Sequence, residues 1–320
     1  MSKRKVLLTG ASGLVASLML PTLRERYDMT LLDVRTTDRN GDPVEGVQIA
    51  DLVDRNRDAY REHFKGQDAV IHLGFTRAQD ENDPDQRFTA EFLNVQMAYN
   101  IYQVSWEENV RRVVAASSNH AADYYEPLIL DHKMDMVTPE MVPLSDNYYG
   151  WSKQAYEHLG FVFAVGKIHG AKEEGVQARI SGHGGATIFD RAPGRQLENV
   201  QIRIGGPRET DMANAPKGDM RTVRRGLGAY LSARDLTQLF VKSIETEDIR
   251  DENGIPFQIF YGISGNSHAF WSIASARKVI GYEPQDNSET NFNDLVAEHI
   301  RVAKARAESE QAASSQADKS

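Results

Sequence analysis

A glycine turn near the N-terminus constrains the fold more than any other feature of this sequence. The apolar run in Lys5–Thr9 predicts a buried strand, and residues 14–27 predict the helix that follows it. Between them lies the pattern Gly10-x-x-Gly13-x-x-Ala16. The first glycine permits a tight turn, the second lets the backbone approach a pyrophosphate, and the alanine keeps helix and strand close. The pattern therefore predicts a dinucleotide-binding sheet with phosphates at the helix N-terminus.

Predicted strands and helices alternate along most of the chain. The strands are expected at residues 5–9, 29–33, 47–49, 68–73, 112–116, 200–204 and 257–261. The helices are expected at residues 14–27, 54–64, 84–109, 149–168, 236–244, 273–280 and 293–302. This alternation is typical of an α/β protein with a doubly wound parallel sheet. We expect a cofactor-binding domain over residues 1–204, a small substrate-binding region with C-terminal helices over 205–302, and a flexible tail over 303–320.

Composition excludes several classes of function. The 320 residues carry a net charge of −9, which argues against nucleic-acid binding as the main activity. There is no cysteine, so thiolate metal sites, disulfides and cysteine nucleophiles are excluded. No His-Glu-x-x-His pair occurs, and we expect no metal. The apolar run Val6-Leu7-Leu8 is too short for a signal peptide or a membrane span, so we expect a soluble cytoplasmic protein.

The residues assigned to the cofactor begin at the glycine turn and continue at the end of the second strand. We expect the phosphates to lie against Gly10, Ser12, Gly13, Leu14 and Val15. Asp33 closes the second strand, where it can accept hydrogen bonds from the adenosine ribose hydroxyls and repel the 2′-phosphate of NADP. Arg35 lies two residues away and can partly accommodate a phosphate. The sequence therefore favours NAD and leaves NADP open.

Two further segments follow strands on the same edge of the predicted sheet. Asp51-Leu52 follows the third strand, where the acid can bind the adenine amino group and Leu52 can pack on the ring. Asp51 as a loop acid or helix cap is the alternative. Leu73-Gly74 ends the fourth strand, where a glycine lets a cofactor lie close, although a simple strand end has the same appearance.

A tyrosine and a lysine four residues apart, Tyr149 and Lys153, are the strongest chemical signal. On a helix this spacing places both side chains on one face. A phenol can act as an acid or base when its anion is stabilised, and an ammonium group or an oxidised nicotinamide stabilises that anion. Because this spacing is common on helix surfaces, it gains its meaning from the glycine turn upstream.

Four features occur in chain order: the glycine turn, the acid after the second strand, Ser117-Ser118 after the fifth strand, and Tyr149-x-x-x-Lys153. Through these features the chain resembles an extended short-chain dehydrogenase/reductase. The resemblance spans roughly residues 3–300. It implies a Rossmann fold, NAD as cofactor and a catalytic serine at Ser118 beside the tyrosine and lysine. Asn94 falls where this family has an asparagine that holds a proton-relay water.

Within that superfamily the chain is most similar to the uronate dehydrogenases. The segments that carry the likeness are Ala116-Ser-Ser-Asn-His120, Tyr148-Tyr-Gly-Trp-Ser-Lys153, Arg203-Ile-Gly205, Arg224-Arg-Gly-Leu-Gly-Ala-Tyr-Leu-Ser232, Arg234-Asp235-Leu236 and Tyr261-Gly-Ile-Ser264. The chain departs from the pattern at Gly206-Pro207, in added residues before Arg224, and in a glycine-rich insert at about 167–199.

The resemblance assigns the substrate residues. It implies that Thr76, Ser118, Asn119, His120 and Tyr149 contact the sugar, and that Arg225 grips its carboxylate. The implied reaction is NAD-dependent oxidation of the anomeric carbon of an acidic sugar, a hexuronate or similar aldose, to the lactone. Tyr149 would be the base beside the nicotinamide, with Ser118 orienting the reacting oxygen and Lys153 both holding the nicotinamide ribose and supporting the phenolate. Arg225 as one of a cluster of surface arginines is an equal alternative.

Other interpretations stay open at this point. The same residues fit an NAD-dependent sugar-nucleotide epimerase or dehydratase, and, less well, a non-catalytic NAD-binding regulatory protein. The insert is either an exposed loop or oligomer contact, or a lid over the site. In the resembling family the helices equivalent to 84–109 and 149–168 pair between subunits, which implies a homodimer or higher oligomer.

Overall fold

The computed structural model describes residues 3–166, 188–192 and 194–317, and within them the chain forms one seven-stranded parallel sheet. The strands are β1 (Lys5–Thr9), β2 (Asp28–Asp33), β3 (Val47–Ile49), β4 (Ala69–His72), β5 (Arg112–Ser118), β6 (Glu198–Ile204) and β7 (Phe257–Gly262). Their order is β3-β2-β1-β4-β5-β6-β7. The direction of strand succession reverses between β1 and β4, which is where a doubly wound sheet opens a crevice for a ligand. The predicted α/β class is confirmed.

The helices cover both faces of this sheet. They are α1 (Leu14–Arg26), α2 (Pro84–Glu107), α3 (Glu126–Leu130), α4 (Tyr148–Val165), α5 (Thr210–Ala213), α6 (Met220–Ala229), α7 (Ala233–Glu245), α8 (Ala274–Ile280), α9 (Ser288–Asn291) and α10 (Asn293–Ala317). Short 3-10 helices lie at Arg57–Ala59, Arg61–Phe64, Asn119–Tyr125 and Ile188–Arg191. None of the helices in the described part of the chain combines the length and apolar character needed to cross a membrane.

Alternate side chains of each strand enter opposite cores. In β1, Val6 and Leu8 pack into one cluster with α1 and α7, whereas Leu7 packs into the other with α2. All three side chains are fully buried. A continuous apolar strand with both faces covered is the pattern expected of a parallel sheet between two helical layers.

Two predicted segments differ from the structure. Residues 54–64 form two 3-10 helices in place of one helix, because Tyr60 between them has φ −132° and ψ −1°, outside the helical region. The C-terminal helix α10 continues to Ala317, well beyond residue 302. Its Ala- and Glu-rich composition favours helix over this length.

Most of the predicted insert lies outside the described residues, namely 167–187 and 193. Its described end includes Phe189, which is buried edge-on against Trp106 and Phe163. Strand β6 begins at Glu198, two residues before the predicted strand. The choice between a lid and an exposed loop concerns residues outside the described part of the chain.

Candidate active site

The glycine turn lies against the end of β4. Gly10 has φ +72°, and a Cβ on it would lie 2.6 Å from the carbonyl carbon of Leu73 and 2.7 Å from the nitrogen of Gly74. Only glycine fits this close approach and this backbone conformation. Gly13 precedes α1 and gives it no side-chain cap. The first amides of α1, including those of Leu14 and Val15, can therefore face a phosphate.

The carboxylate of Asp33 fastens the end of β2 to this turn. Its Oδ2 accepts a hydrogen bond from the Ser12 amide at 2.9 Å, and its Oδ1 accepts from the Val34 amide at 2.7 Å and the Arg35 amide at 3.3 Å. The Ser12 hydroxyl donates to the Arg35 carbonyl at 2.8 Å. This places Asp33 one strand from the turn, where the adenosine ribose of a dinucleotide lies in this class of sheet.

The other segments predicted to bind the cofactor have local roles in the protein itself. Asp51 Oδ1 accepts from the Val53 amide at 3.0 Å, as a turn acid does, while Leu52 is buried. A Cβ on Gly74 would lie 2.8 Å from the sulfur of Met97, so a larger residue here would have to shift the Met97 side chain on α2. The adenine contact of Asp51 and Leu52 and the close approach of the cofactor at Leu73-Gly74 stay predictions.

The pair Tyr149 and Lys153 lies on one face of the first turns of α4. The side chain of Asn147 caps the helix, because its Oδ1 accepts a hydrogen bond from the Gly150 amide at 2.9 Å. Lys153 is buried, and its Nζ donates to the carbonyl of Ala116 on β5 at 3.2 Å. The same Nζ lies 5.2 Å from the centroid of the Tyr149 ring. The ammonium group is thus held beside the phenol.

Two rings enclose Tyr149. Phe75, after β4, and His120, after β5, both pack edge-on against it, with ring centroids 5.6 Å and 5.7 Å away. The carbonyl oxygen of His120 lies against the first turn of α4, where a Cβ on Gly150 would clash with it. Glycine at this position therefore lets the end of β5 approach the tyrosine.

The end of β5 supplies polar groups at the same place. The Oγ of Ser118 accepts from the His120 amide at 3.2 Å, which fixes the start of the 3-10 helix Asn119–Tyr125. Asn119 is buried, and its Nδ2 has no hydrogen-bond partner among the described residues. A buried donor of this kind is costly unless a ligand or water completes it. The structure therefore brings Ser118, Asn119, His120 and Tyr149 together.

Asp123 was not anticipated from the sequence. Its Oδ2 lies 2.9 Å from Nδ1 of His120 and accepts from Nδ2 of Asn147 at 2.9 Å. Burial alone would raise the pKa of Asp123, but hydrogen bonds from His120, Ser145 and Asn147 hold the pKa below its usual value. One carboxylate thus orients both the histidine ring and the cap of the helix that carries Tyr149.

Asn94 holds Thr76 in place. Its Oδ1 accepts from the Thr76 amide at 2.8 Å, and its Nδ2 donates to the Thr76 carbonyl at 3.0 Å and to Glu91 at 3.1 Å. The buried carboxylate of Glu91 also accepts from the hydroxyl of Ser152, next to Lys153, at 2.6 Å. This chain of contacts connects the loop after β4 to α4. Glu91 was missed because a single acid inside a helical pattern resembles a solvent-exposed residue.

A buried ion pair joins α4 to the sheet. Glu157 receives a bidentate pair of hydrogen bonds from Arg203 on β6, at 2.9 Å and 2.8 Å, and both side chains are almost fully buried. Glu157 also accepts from Ser117 on β5, and Arg203 donates to the hydroxyl of Tyr261 on β7. The helix that carries the tyrosine and lysine is thereby tied to three neighbouring strands.

Arg225, on α6, has an acidic partner within the chain. Its Nε and Nη2 each lie 3.1 Å from an oxygen of Glu126, the first residue of α3. The arginine fork is therefore engaged by a carboxylate of the protein itself. Arg221 makes a single contact with Asp131, the residue after α3, at 2.6 Å, so two ion pairs join α6 to α3 and its C-terminal cap.

Comparison with known proteins points to sugar chemistry. A sequence profile of the NAD dependent epimerase/dehydratase family matches residues 6–169. The chain is 31% identical over 296 residues to an NAD-dependent glucose-6-phosphate dehydrogenase of Haloferax volcanii, covering 88% of this chain and 94% of that one. It is 28% identical to a uronate dehydrogenase of Pseudomonas syringae pv. tomato, covering 89% of this chain and 83% of the other.

Two further similarities agree with these. An L-arabinose 1-dehydrogenase (NAD(P)(+)) of Haloferax volcanii is 28% identical over 89% of this chain and 98% of its own length. The solved structure of a mutated uronate dehydrogenase superposes with a TM-score of 0.63 at 25% identity, covering 92% of this chain and 86% of that one. The relatives named here thus include enzymes named for a uronate, a sugar phosphate and a neutral sugar.

Proposed function

This chain belongs to the NAD dependent epimerase/dehydratase family, since the family profile matches residues 6–169 of its 320 and a relative covering 88% of it is 31% identical. From that premise we propose that it oxidises the anomeric carbon of an aldose, a hexuronate or a similar sugar, to the lactone. Tyr149 is the base, and Ser118 and Lys153 assist it.

NAD is the cofactor, and the reaction is the oxidation of a CH–OH group of a sugar. The chain's own geometry fits a dinucleotide. Gly10 and Gly13 leave the start of α1 uncovered by side chains, and Asp33 stands at the end of the adjacent strand. These residues would hold the pyrophosphate and the adenosine ribose. When bound, NAD supplies the acceptor for the hydride that leaves C1.

Tyr149 removes the proton of the C1 hydroxyl. The buried Lys153 ammonium lies 5.2 Å from the centre of the Tyr149 ring, where its positive charge attracts the negative charge that develops on the phenol oxygen during proton transfer. Ser118 orients the reacting oxygen, and Asn119, which follows it, positions a neighbouring sugar hydroxyl. His120, fixed by Asp123, holds another hydroxyl. Asn94 acts through Thr76, which it positions at the rim of the site.

The observation that carries this proposal is the position of Tyr149 between Lys153 and the ring of His120 at the carboxyl end of β5. The test is Tyr149→Phe, for which we expect kcat to fall by roughly a thousandfold, as for loss of a general base. Tyr148→Phe is the matched control, because Tyr148 is the exposed neighbour on the same helix turn and should keep full activity.

If Tyr149→Phe keeps more than a small fraction of the wild-type rate while NAD still binds, Tyr149 is not the base. Identification of the product separates the proposal from the epimerase alternative. A lactone formed in step with NADH supports oxidation at C1. Tightly retained NAD without net NADH would instead favour an epimerase or dehydratase.

We also propose self-association through the outer faces of α2 and α4. Phe88 on α2 is exposed and stacks on Trp151 of α4 at 5.4 Å, with Tyr148 edge-on to it at 5.5 Å. Exposed aromatic clusters of this kind often mark protein interfaces. Light scattering on the purified protein tests this, and a monomer at all concentrations would refute it. Trp151→Lys should weaken a dimer.

A further inference from the structure

The ion pair between Arg225 and Glu126 has the geometry with which arginine binds a carboxylic acid. Two parallel hydrogen bonds of 3.1 Å join the guanidinium Nε and Nη2 to the two oxygens of Glu126. The Arg225 side chain is 31% exposed and that of Glu126 is 15% exposed. A fork-to-fork pair of this kind uses the same donors that a sugar carboxylate would take.

The topology of the sheet places the pair of Arg225 and Glu126 at the same sheet edge as the candidate active site. Ser118 at the end of β5 is the register partner of Ile204 on β6. Two residues beyond Ile204, Gly206 forms a bridge with Tyr230, directly after α6. Arg225 therefore stands one helical turn before a contact at the carboxyl end of β6.

Glu126 belongs to the segment that follows β5. It follows directly on the 3-10 helix Asn119–Tyr125, which begins with the polar residues of the site. The first turn of α3, with Glu126 at its start, packs against α6. The two charged groups thus come from segments that flank the end of β5.

We infer that Glu126 is a specificity-determining residue: it occupies Arg225 as an internal competitor and so weakens the binding of acidic sugars relative to neutral ones. This rests on the proposed function, because it takes Arg225 to face the sugar. A sugar carboxylate must either displace Glu126 or lie beside a like charge, which is unfavourable. A neutral aldose meets no such competition, because it carries no charge for the carboxylate of Glu126 to repel.

The pair is partly exposed, so water screens it and it can be opened. Pairs at this level of exposure are held weakly compared with buried ones. Glu126 therefore acts as a graded competitor and does not block the arginine completely. The related pair Arg221 and Asp131 joins the same two helices but is more exposed, with side chains 53% and 41% accessible. It supplies a matched control for any effect on the packing of α3 against α6.

The experiment compares wild type, Glu126→Gln and Asp131→Asn in steady-state NADH formation with glucuronate and with glucose. Glutamine keeps the size of Glu126 and removes its charge. We expect Glu126→Gln to lower KM for glucuronate about tenfold, as for removal of a competing charge-assisted pair, while KM for glucose changes little. Asp131→Asn should change neither constant. Adding Arg225→Ala to Glu126→Gln should abolish the gain.

Unchanged KM values in Glu126→Gln, or equal changes for both sugars, would overturn the inference, as would a gain that persists without Arg225. Melting temperatures of all variants show whether each is folded. If wild type forms no NADH with any sugar, the proposed function fails. The competition between Glu126 and a sugar carboxylate for Arg225 is then measured through ligand binding. A larger rise in melting temperature with glucuronate and NADH in Glu126→Gln than in wild type would still support it, and equal rises would contradict it.

Discussion

Nδ1 of His120 lies 2.9 Å from Oδ2 of Asp123, a carboxylate that also holds the cap of α4 through Asn147. A carboxylate at Nδ1 fixes that nitrogen as a donor, and in the neutral ring Nε2 is then the acceptor that we propose for a sugar hydroxyl. We therefore infer that Asp123 is a positioning residue that acts through His120.

We expect Asp123→Asn to lower kcat/KM about tenfold through misplacement of His120 and of the start of α4. Asp146→Asn is the matched control, since Asp146 accepts a hydrogen bond from the same Asn147 amide at 3.1 Å and is not bonded to His120. Steady-state kinetics over a range of pH measure both. If the control loses as much activity as Asp123→Asn, the effect arises from the helix cap and not from His120.

We expect Asp33 to govern the choice between NAD and NADP. Its carboxylate would lie close to the 2′-phosphate of NADP and repel it. Asp33→Asn removes the charge and keeps an acceptor oxygen for only one of two amides, because Oδ2 of Asp33 accepts from Ser12 and Oδ1 accepts from Val34. We expect kcat/KM for NADP to rise about tenfold and that for NAD to fall.

Asp51→Asn is the comparison variant for cofactor choice, because the Asp51 carboxylate is bonded to the amide of Val53 and belongs to the next strand end. It should leave the ratio of NAD to NADP activity unchanged. A ratio that shifts equally in both variants would show that general charge, and not the position of Asp33, sets the preference.

His72 should make stability depend on pH. Burial, together with the nearby positive charge of Lys153, lowers the pKa of His72 to about 3, so the folded protein keeps the ring neutral. The unfolded chain takes up a proton on this ring below its usual pKa, at about 6.5. The contribution of His72 to the free energy of unfolding is therefore fully present above about pH 6.5. It falls by about 1.4 kcal/mol per pH unit as the pH drops toward the pKa of about 3 in the folded protein.

Urea unfolding of wild type at about pH 7 and about pH 5 should thus differ by roughly 2 kcal/mol from this group. His72→Gln, which can still bond the Thr9 hydroxyl that lies 2.8 Å from Nδ1 of His72, should show a smaller difference. An identical pH dependence in wild type and variant would mean that His72 is not protonated on unfolding in this range.

The pair of Glu157 and Arg203 is expected to dominate the stability of the site. Removing one partner leaves a buried charge without compensation, at a cost of about 3–5 kcal/mol. Glu157→Gln should show this loss in urea unfolding. Asp248→Asn breaks the exposed pair with Arg250 and should cost less than about 1 kcal/mol. Equal, small losses in both variants would contradict the importance of the buried pair.

The sequence predicted the sheet well because apolar strands and the glycine turn obey local rules. Its failures have physical causes. Helix α6 was missed because its two glycines disfavour a helix in isolation, whereas in the fold Asp219 caps it and Val223 and Leu227 are buried. The helix forms through tertiary contacts that local propensity does not contain.

The same limit applies to the site. Spacing along α4 was enough to pair Tyr149 with Lys153, because both lie on one helix. The partners of Arg225 and His120 depend on where the segment after β5 travels, so Glu126 and Asp123 were not predicted. For Asn94 the position was predicted, and its role in holding Thr76 became visible only in three dimensions.

The most direct measurement is the rate of NADH formation, followed by absorbance, with purified protein, NAD and matched sugars. The panel contains glucuronate, glucose, arabinose and glucose 6-phosphate, each beside its methyl glycoside, in which the anomeric hydroxyl is blocked. We expect NADH to form with one or more of the free sugars and not with the corresponding glycosides. We also expect Tyr149→Phe to form no NADH with those free sugars. NADH formed equally well from a glycoside, or no NADH from any free sugar, would contradict oxidation at the anomeric carbon.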